Sequence, residues 1–115
     1  MAVRSAVPTL LANGAILYTW SGLLNGDTGE PVEAPGHADK TVQIEGTFGA
    51  GGTCVIQGSN NGSNYQSLTD PQGNAISKTA AALEMVEEHT RYIRPNITAG
   101  DGTTNLAVYL MAKRT

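Results

Sequence analysis

The apolar residues of this chain recur mostly at every second position, the spacing of β-strands that bury one face. Residues 15–23 alternate in this way and predict a first strand. Residues 41–48 predict a second strand, in which Val42 and Ile44 share the inward face. Further strands are predicted at residues 53–58, 65–69, 75–77, 91–98 and 105–112. Short strands separated by turn residues in this manner favour an all-β fold.

The segments between these strands are rich in glycine, proline and asparagine. The glycine-rich segment 49–52 predicts a hairpin loop that pairs residues 53–58 with the preceding strand, with Cys54 facing inward. Two prolines and three glycines within residues 25–39 predict a long surface loop. Residues 70–73, which read Asp-Pro-Gln-Gly, predict a β-turn.

Three segments depart from simple alternation. Residues 79–88 predict one short helix, because Leu83 and Val86 stand three residues apart and alanines precede them. Pro95 cannot donate a backbone hydrogen bond, which predicts that its strand lies at an edge or carries a bulge there. The last strand, residues 105–112, is apolar on both faces, so its second face is expected to meet either the other sheet or a partner chain.

These elements together predict an antiparallel β-sandwich or jelly roll with one short helix, Thr79–Glu88, and an extended N-terminal arm. We place the arm at residues 1–13 and a single sandwich domain at residues 14–115, because 115 residues suit one domain. The arm has apolar side chains without strand alternation, and we expect it either to order against a partner or to fray in solution.

Composition and charge narrow the functional classes. Seven basic and ten acidic residues give a net charge of −3, and only 15% of residues are charged, which excludes a basic nucleic-acid binder and a charge-driven disordered chain. The single cysteine excludes an intramolecular disulfide. No apolar run resembles a signal peptide or approaches the roughly 20 residues of a membrane span. We therefore expect a soluble protein made in a reducing cytoplasm, with neither nucleic acid nor membrane as a partner.

Few residues are suited to catalysis or metal binding. His37 and His89 lack metal-ligand spacing and are expected at the surface or at capping positions. Cys54 is expected to act as a small buried hydrophobic residue. Three glutamates within residues 84–88 could bind a cation or perform acid–base chemistry, but a solvated helix face is the favoured interpretation. We therefore predict no catalytic site, no cofactor and no metal site.

Part of the chain resembles the repeated sequence pattern of discoidin-like, galactose-binding jelly rolls. The resemblance rests on residues 55–62, which read VIQGSNNG, and on residues 91–94, which read RYIR, with Tyr65 and Leu68 between them. It implies a jelly-roll fold. Because Asn61 stands where that pattern usually has Asp, and Tyr65 where it usually has Trp, no sugar-binding residue is carried over.

A fuller resemblance is to small virion proteins of tailed bacteriophages. Five motifs match in the same order: Gly46–Gly49, Gln57–Gly62, Asp70–Gly73, Arg91–Pro95 and Gly100–Gly102. The resemblance implies a non-enzymatic capsid decoration (cement) protein on the outer surface of the virion, which stabilises the shell by bridging subunits of the major capsid protein. We also expect a homo-oligomer, a dimer or a trimer, because contacts repeated by symmetry turn weak binding into avidity.

Eight apolar or aromatic residues are the candidates for these contacts, because such side chains are enriched at interface hot spots. They are Val3, Val7, Leu10 and Leu11 in the arm, Tyr18 and Trp20 in the first strand, and Tyr109 and Met111 in the last strand. Burial in the domain's own core is the favoured alternative for Trp20 and an equal alternative for the pair in the last strand.

Two other functions remain open at this point. The first is a carbohydrate-binding module of a phage tail or of a secreted protein, and a weaker one is a tail or head–tail adaptor component. Exposed tyrosines that line one face of the sandwich, such as Tyr18, Tyr65 or Tyr92, would favour the carbohydrate-binding module. Burial of all of them would count against it.

Overall fold

The predicted β-sandwich is confirmed by a computed structural model, which describes residues 2–114. Met1 and Thr115, the terminal residues of the predicted arm and domain, lie outside the described residues. Two β-sheets pack face to face, and the α-carbons have a radius of gyration of 13.1 Å. Residues 2–114 contain no helix of the length and apolar character needed to cross a membrane.

Each sheet is built from a few long strands and several short ones. The strands are β1 (Val3–Arg4), β2 (Val7–Leu10), β3 (Ile16–Leu23), β4 (Thr28–Gly29), β5 (Val32–Glu33), β6 (Asp39–Thr47), β7 (Thr53–Ser59), β8 (Gln66–Ser67), β9 (Ser77–Lys78), β10 (Ala82–Met85), β11 (Tyr92–Ala99) and β12 (Asn105–Lys113), with a 3-10 turn at Ala12–Gly14. The five-stranded sheet has the order β10-β6-β12-β3-β2 and is antiparallel throughout. The seven-stranded sheet has the order β1-β4-β11-β7-β8, with β5 beside β11 and β9 beside β7. Its β1–β4 pair is parallel.

The core lies between the two sheets and is formed by alternate residues of the long strands. Val108 and Leu110 of β12 are fully buried, and they lie in register with the buried Ile44 and Val42 of β6. The seven-stranded sheet faces them with its own buried residues, among them Ile56 of β7. This one-sided burial produces the period-two pattern of the sequence.

The predicted hairpin between residues 41–48 and 53–58 is wrong. Cys54 faces inward as expected, but β6 pairs with β10 and β12, whereas β7 pairs with β8, β9 and β11. The connecting segment therefore crosses from one sheet to the other. Gly52 is required in this crossover, because a β-carbon there would overlap the Phe48 carbonyl. A hairpin and a crossover give the same local sequence pattern, because in both cases a glycine-rich segment joins two strands whose alternate side chains face the core.

The predicted helix at Thr79–Glu88 is also wrong. Residues 82–85 form β10 at the edge of the five-stranded sheet, paired with residues 41–44 of β6. Exposed Leu83 and Met85 alternate with half-buried neighbours, which is the period of a strand. The hydrogen bonds of β10 to the edge of β6 stabilise the strand more than the helix propensity of the preceding alanines stabilises a helix.

Pro95 lies in a central strand rather than in an edge strand. The irregularity of β11 falls between Ile97 and Ala99 and not at Pro95. The Ile97 N–H donates toward β4, to the Asp27 carbonyl, and alternation puts the Pro95 nitrogen on the same side. That side faces Gly29, the last residue of β4, where an added β-carbon would lie 2.5 Å from Pro95 Cδ, so the missing N–H falls where the short β4 ends.

The predicted surface loop at residues 25–39 contains β4 and β5 and is partly buried. Asp27 is 3% exposed and His37 is 8% exposed. His37 is therefore not at the surface; its Nε2 lies 3.1 Å from the carbonyl oxygen of Gly14, the last residue of the 3-10 turn, which fits the alternative of a capping position. His89 is exposed, as expected.

Candidate interaction surface

The N-terminal segment is fixed along one flank of the sandwich by its own chain. Strand β1 pairs with β4 and strand β2 pairs with β3, so the segment spans the edges of both sheets. The Asp27 carboxylate anchors its beginning, accepting hydrogen bonds from the Ala2 N–H (2.9 Å), the Leu24 N–H (2.9 Å) and Arg4 Nε (2.8 Å). Residues 3–4 and 7–10 of the predicted arm thus form two short strands that pair with this chain's own β4 and β3.

Asp27 is a buried carboxyl that stays ionised. Burial acts to raise the pKa of Asp27, but the hydrogen bonds from Leu24, Arg4 and Ala2 outweigh it and hold the pKa below its ordinary value. The side chain of Asp27 is 4% exposed and that of Arg4 is 37% exposed, so the ion pair lies at the border of the core. The Asp27 carboxylate is therefore charged at neutral pH and keeps its hydrogen bonds to the N-terminal segment.

Four large apolar side chains remain exposed along this flank although their backbone is ordered. Val3 is 68% exposed, Val7 59%, Leu10 81% and Leu11 40%. We call these four residues the N-terminal apolar flank. They lie on β1, on β2 and in the residue that follows β2, at the edges of both sheets. Apolar surface that is ordered but uncovered is typical of an interaction site.

The outer face of the five-stranded sheet is a second apolar surface. Cross-strand register places two rows of side chains there: Met85, Thr41, Met111, Leu17 and Thr9 in one row, and Leu83, Gln43, Tyr109, Thr19 and Val7 in the other. Neither row contains a charged side chain. The charged residues Asp39 and Lys113 lie beyond one end of the rows, and Glu45 lies beyond the other.

The eight predicted contact residues fall into three places. Tyr109 and Met111 lie on the outer face of the five-stranded sheet, half-buried among their neighbours, and Val7 lies at its edge. The other three residues of the arm lie on the N-terminal apolar flank, namely Val3, Leu10 and Leu11.

Tyr18 and Trp20 point the other way, into the core. Trp20 is 1% exposed, and its Nε1 donates a hydrogen bond of 2.9 Å to the Glu30 carbonyl. Tyr18 is half-buried and packs against the core cluster. Burial within this chain, the alternative favoured for Trp20, is what the structure shows.

Three further residues complete the outer face of the five-stranded sheet and were not predicted. Leu83 and Met85 were assigned to a helix, although their alternation with Ala82 and Glu84 is a strand signal. Leu17 was assigned to a strand, but its face depends on the pairing of β3 with β12, which places it beside Met111.

The candidate reactive groups lie apart from one another. Cys54 is fully buried, and burial raises the pKa of its thiol to about 12. Glu84 forms an ion pair with Lys78 (2.8 Å), whereas the Glu88 carboxylate accepts hydrogen bonds from the backbone and hydroxyl of Thr69 (2.8 and 2.6 Å). Within residues 2–114, no three His, Cys, Asp or Glu side chains could hold a metal ion, and no surface pocket is found.

The tyrosines that would favour carbohydrate binding do not share one face. Tyr18 points into the core, whereas Tyr92 lies in β11 of the seven-stranded sheet and Tyr65 lies against Arg94 of the same strand, both half-buried. The guanidinium of Arg94 lies 3.9 Å from the centre of the Tyr65 ring, and that of Arg91 lies 5.0 Å from the Tyr92 ring. Arginines thus cover the two rings that could have formed an aromatic platform.

Comparison with known proteins gives a likeness of fold. No protein-family model matches the sequence and no curated protein matches it, so the discoidin-like resemblance rests on its short motifs alone. The crystal structure of the SPBc2 prophage-derived protein YomS is similar, with a TM-score of 0.64 and 8% sequence identity, over 90% of this chain and 98% of that chain. Two structures of HppE, with CoII and with FeII, align with TM-scores of 0.43 and 0.39 at 15% and 14% identity, covering 52% and 56% of those chains. These TM-scores are too low to indicate a shared fold.

Proposed function

We propose that this protein is a non-enzymatic structural component of a phage virion, a capsid decoration protein made in the host cytoplasm. It binds the outer surface of the head shell and stabilises it by bridging subunits of the major capsid protein. Two observations that point to a phage protein support the proposal. Motifs that resemble those of virion proteins follow the same order between residues 46 and 102, and the fold is similar to that of a prophage-derived protein.

The observation that carries the proposal is the N-terminal apolar flank. Its four side chains are 40–81% exposed, and fully burying one such side chain is worth about 1.5–3 kcal/mol. Burying the four together would therefore contribute on the order of 5 kcal/mol, before the cost of association is subtracted. A contact of that strength is weak for one copy but strong for linked copies on a repeating lattice.

The flank is built for side-chain contacts rather than for the addition of a strand. The Leu11 N–H donates a hydrogen bond of 2.8 Å to the Ala15 carbonyl. Because the backbone polar groups alternate in direction along a strand, those of Thr9 point toward β3, whereas those of Pro8 and Leu10 point away from the sheet. Pro8 has no N–H to offer, and this blocks continuous pairing at the edge. Because the backbone is already ordered, binding through these side chains costs little conformational entropy.

The direct test is sedimentation of the purified protein with empty, expanded capsids of its phage. At micromolar concentration we expect the wild-type protein in the pellet, and we expect Leu10→Lys to lower the bound fraction about tenfold. Gln72→Lys, in an exposed turn, adds the same charge and should bind like the wild-type protein. Wild-type protein that stays in the supernatant would sink the proposal, whereas equal binding of Leu10→Lys would remove the flank from it.

A further inference from the structure

We infer that the outer face of the five-stranded sheet is a self-association surface, covered in solution by the same face of a second copy. The inference deepens the proposed function and rests on it in one respect, since a dimer would present Val3, Leu10 and Leu11 of two copies to the shell, whereas Val7, at the edge of the face, would be covered by the dimer. The geometry of the face itself supports it independently of any capsid.

The first support is the contrast between the two outer faces of the sandwich. An antiparallel sheet that faces water normally has polar side chains at its outward positions. The seven-stranded sheet follows this rule with outward Gln57, Arg94 and Asn96, and the apolar Val55 on the same face is only 9% exposed. The five-stranded sheet breaks it: Leu83 is 67% exposed and Met85 is 46% exposed. Interface cores are depleted in charged residues and enriched in aromatic residues and methionine.

The second support is the size of the face. The five strands have 4, 9, 9, 8 and 4 residues, and these 34 residues, at about 3.3 Å along and 4.8 Å across a strand, cover roughly 540 Å². Two copies would therefore bury on the order of 1,000 Å² in total, which reaches the lower limit for a specific interface. A second copy covers such an area in full, whereas a bound peptide would leave much of it in water.

The third support is that the face can meet itself without repulsion. A two-fold interface brings the same surface patch of two copies together, so a patch with a large net charge would repel itself. The apolar rows have no charged side chain; Asp39 and Lys113 oppose each other in sign at one end, and the Glu45 carboxylate accepts a 2.8 Å hydrogen bond from Gln43 at the other. Two copies also share the same twist, which is what lets two sheets pack face to face.

The test is the molar mass of the free protein by size-exclusion chromatography with light scattering, with no capsid present. At tens of micromolar we expect twice the 12.0 kDa of one chain. Leu83→Lys and Tyr109→Glu should each raise the dimer dissociation constant about 100-fold. Leu24→Lys is the matched control: Leu24 is 41% exposed but lies outside the face, so this variant should remain dimeric. Leu83 is exposed enough for its variant to fold even if Tyr109→Glu does not.

Several results would overturn the inference. A wild-type monomer of 12.0 kDa or a trimer would contradict a two-fold dimer. A dimer that survives both Leu83→Lys and Tyr109→Glu would assign the contact to another surface. The outcome is separable from the proposed function, because a dimer that fails to bind capsids refutes decoration alone, and a monomer that binds capsids refutes the dimer alone.

Discussion

Replacing Asp27 by alanine should release the N-terminal segment and lower the stability of the whole domain. The carboxylate holds three donors at 2.8–2.9 Å: two backbone N–H groups, of Ala2 and Leu24, and the Arg4 guanidinium. Alanine accepts none of these hydrogen bonds. The Leu24 N–H and the start of β1 would then lose a partner at the border of the core.

The magnitude follows from these contacts. A hydrogen bond to a charged group contributes about 1.5–3 kcal/mol, but the three share one carboxylate and do not add fully. Since the Arg4 side chain is 37% exposed, we take about 3 kcal/mol for the set. An unfolding entropy of about 2.1 cal/mol/K per residue gives roughly 0.24 kcal/mol/K for 115 residues. The melting temperature should therefore fall by about 12 °C.

Two assays report on this change. Thermal unfolding followed by circular dichroism measures the loss of stability. Limited trypsin digestion with mass spectrometry follows cleavage after Arg4, which is ordered in β1 and bound to Asp27 in the wild-type protein. Cleavage there should become at least tenfold faster in Asp27→Ala. Glu87→Ala removes an exposed carboxylate and should change neither readout.

The same anchor predicts a dependence on pH. Because the folded-state pKa of Asp27 lies below its ordinary value, its stabilisation is complete above about pH 4 and is lost as pH falls through the folded-state pKa. Asp27→Asn keeps the shape of the side chain without its titration, so the stability of this variant should fall less than that of the wild-type protein between pH 5 and acid. Unchanged melting and unchanged cleavage after Arg4 in Asp27→Ala would refute this role of Asp27.

Three further predictions concern the core. Lys40 is 2% exposed, and burial lowers the pKa of its ammonium although Asp39 acts to raise it; the protein should therefore gain stability as pH rises toward the lysine range. Lys40→Met should raise the free energy of unfolding in urea at pH 7 by on the order of 1 kcal/mol, and a loss of stability would contradict this. Gly29→Ala would put a β-carbon 2.5 Å from Pro95 Cδ and 2.6 Å from Trp20 Cδ1, and should cost about 1–3 kcal/mol by thermal unfolding, whereas Gly36→Ala, with open space around it, should cost less. Cys54 should resist maleimide in the native protein at pH 8 and react fully in urea, because its thiol is buried with a pKa of about 12; rapid native labelling would show that the core opens.

The long strands could be predicted from the sequence because burial of every second residue is a local pattern. Residues 41–48 and 105–112 show it directly, and they form most of β6 and β12. The partner of a strand is not local information. The crossover at residues 48–52 and a hairpin require the same glycines, so only the whole sheet decides that β7 pairs with β11. The strand β10 was missed because a short apolar segment fits both periods.

The interaction surfaces were only partly predictable for the same reason. The two apolar faces of the last strand left open whether Tyr109 and Met111 face outward or into the core, and only the pairing of β12 with β3 and β6 places them outward. Their neighbours Leu83 and Met85 became visible only once β10 was placed beside β6. The burial of Asp27 has no sequence signature, because two of its three donors, in Ala2 and Arg4, lie 25 and 23 residues before it along the chain.

The decoration function proposed for this protein requires that it recognise an assembled shell by bridging neighbouring capsid subunits. Its binding to expanded capsids can be compared with its binding to free major capsid protein, at equal subunit concentration. We expect saturable, submicromolar binding to the capsids, a higher melting temperature of the decorated shell, and at least 100-fold weaker binding to free subunits. Equal affinity for free and assembled subunits, or a shell that melts at the same temperature with and without the protein, would contradict it.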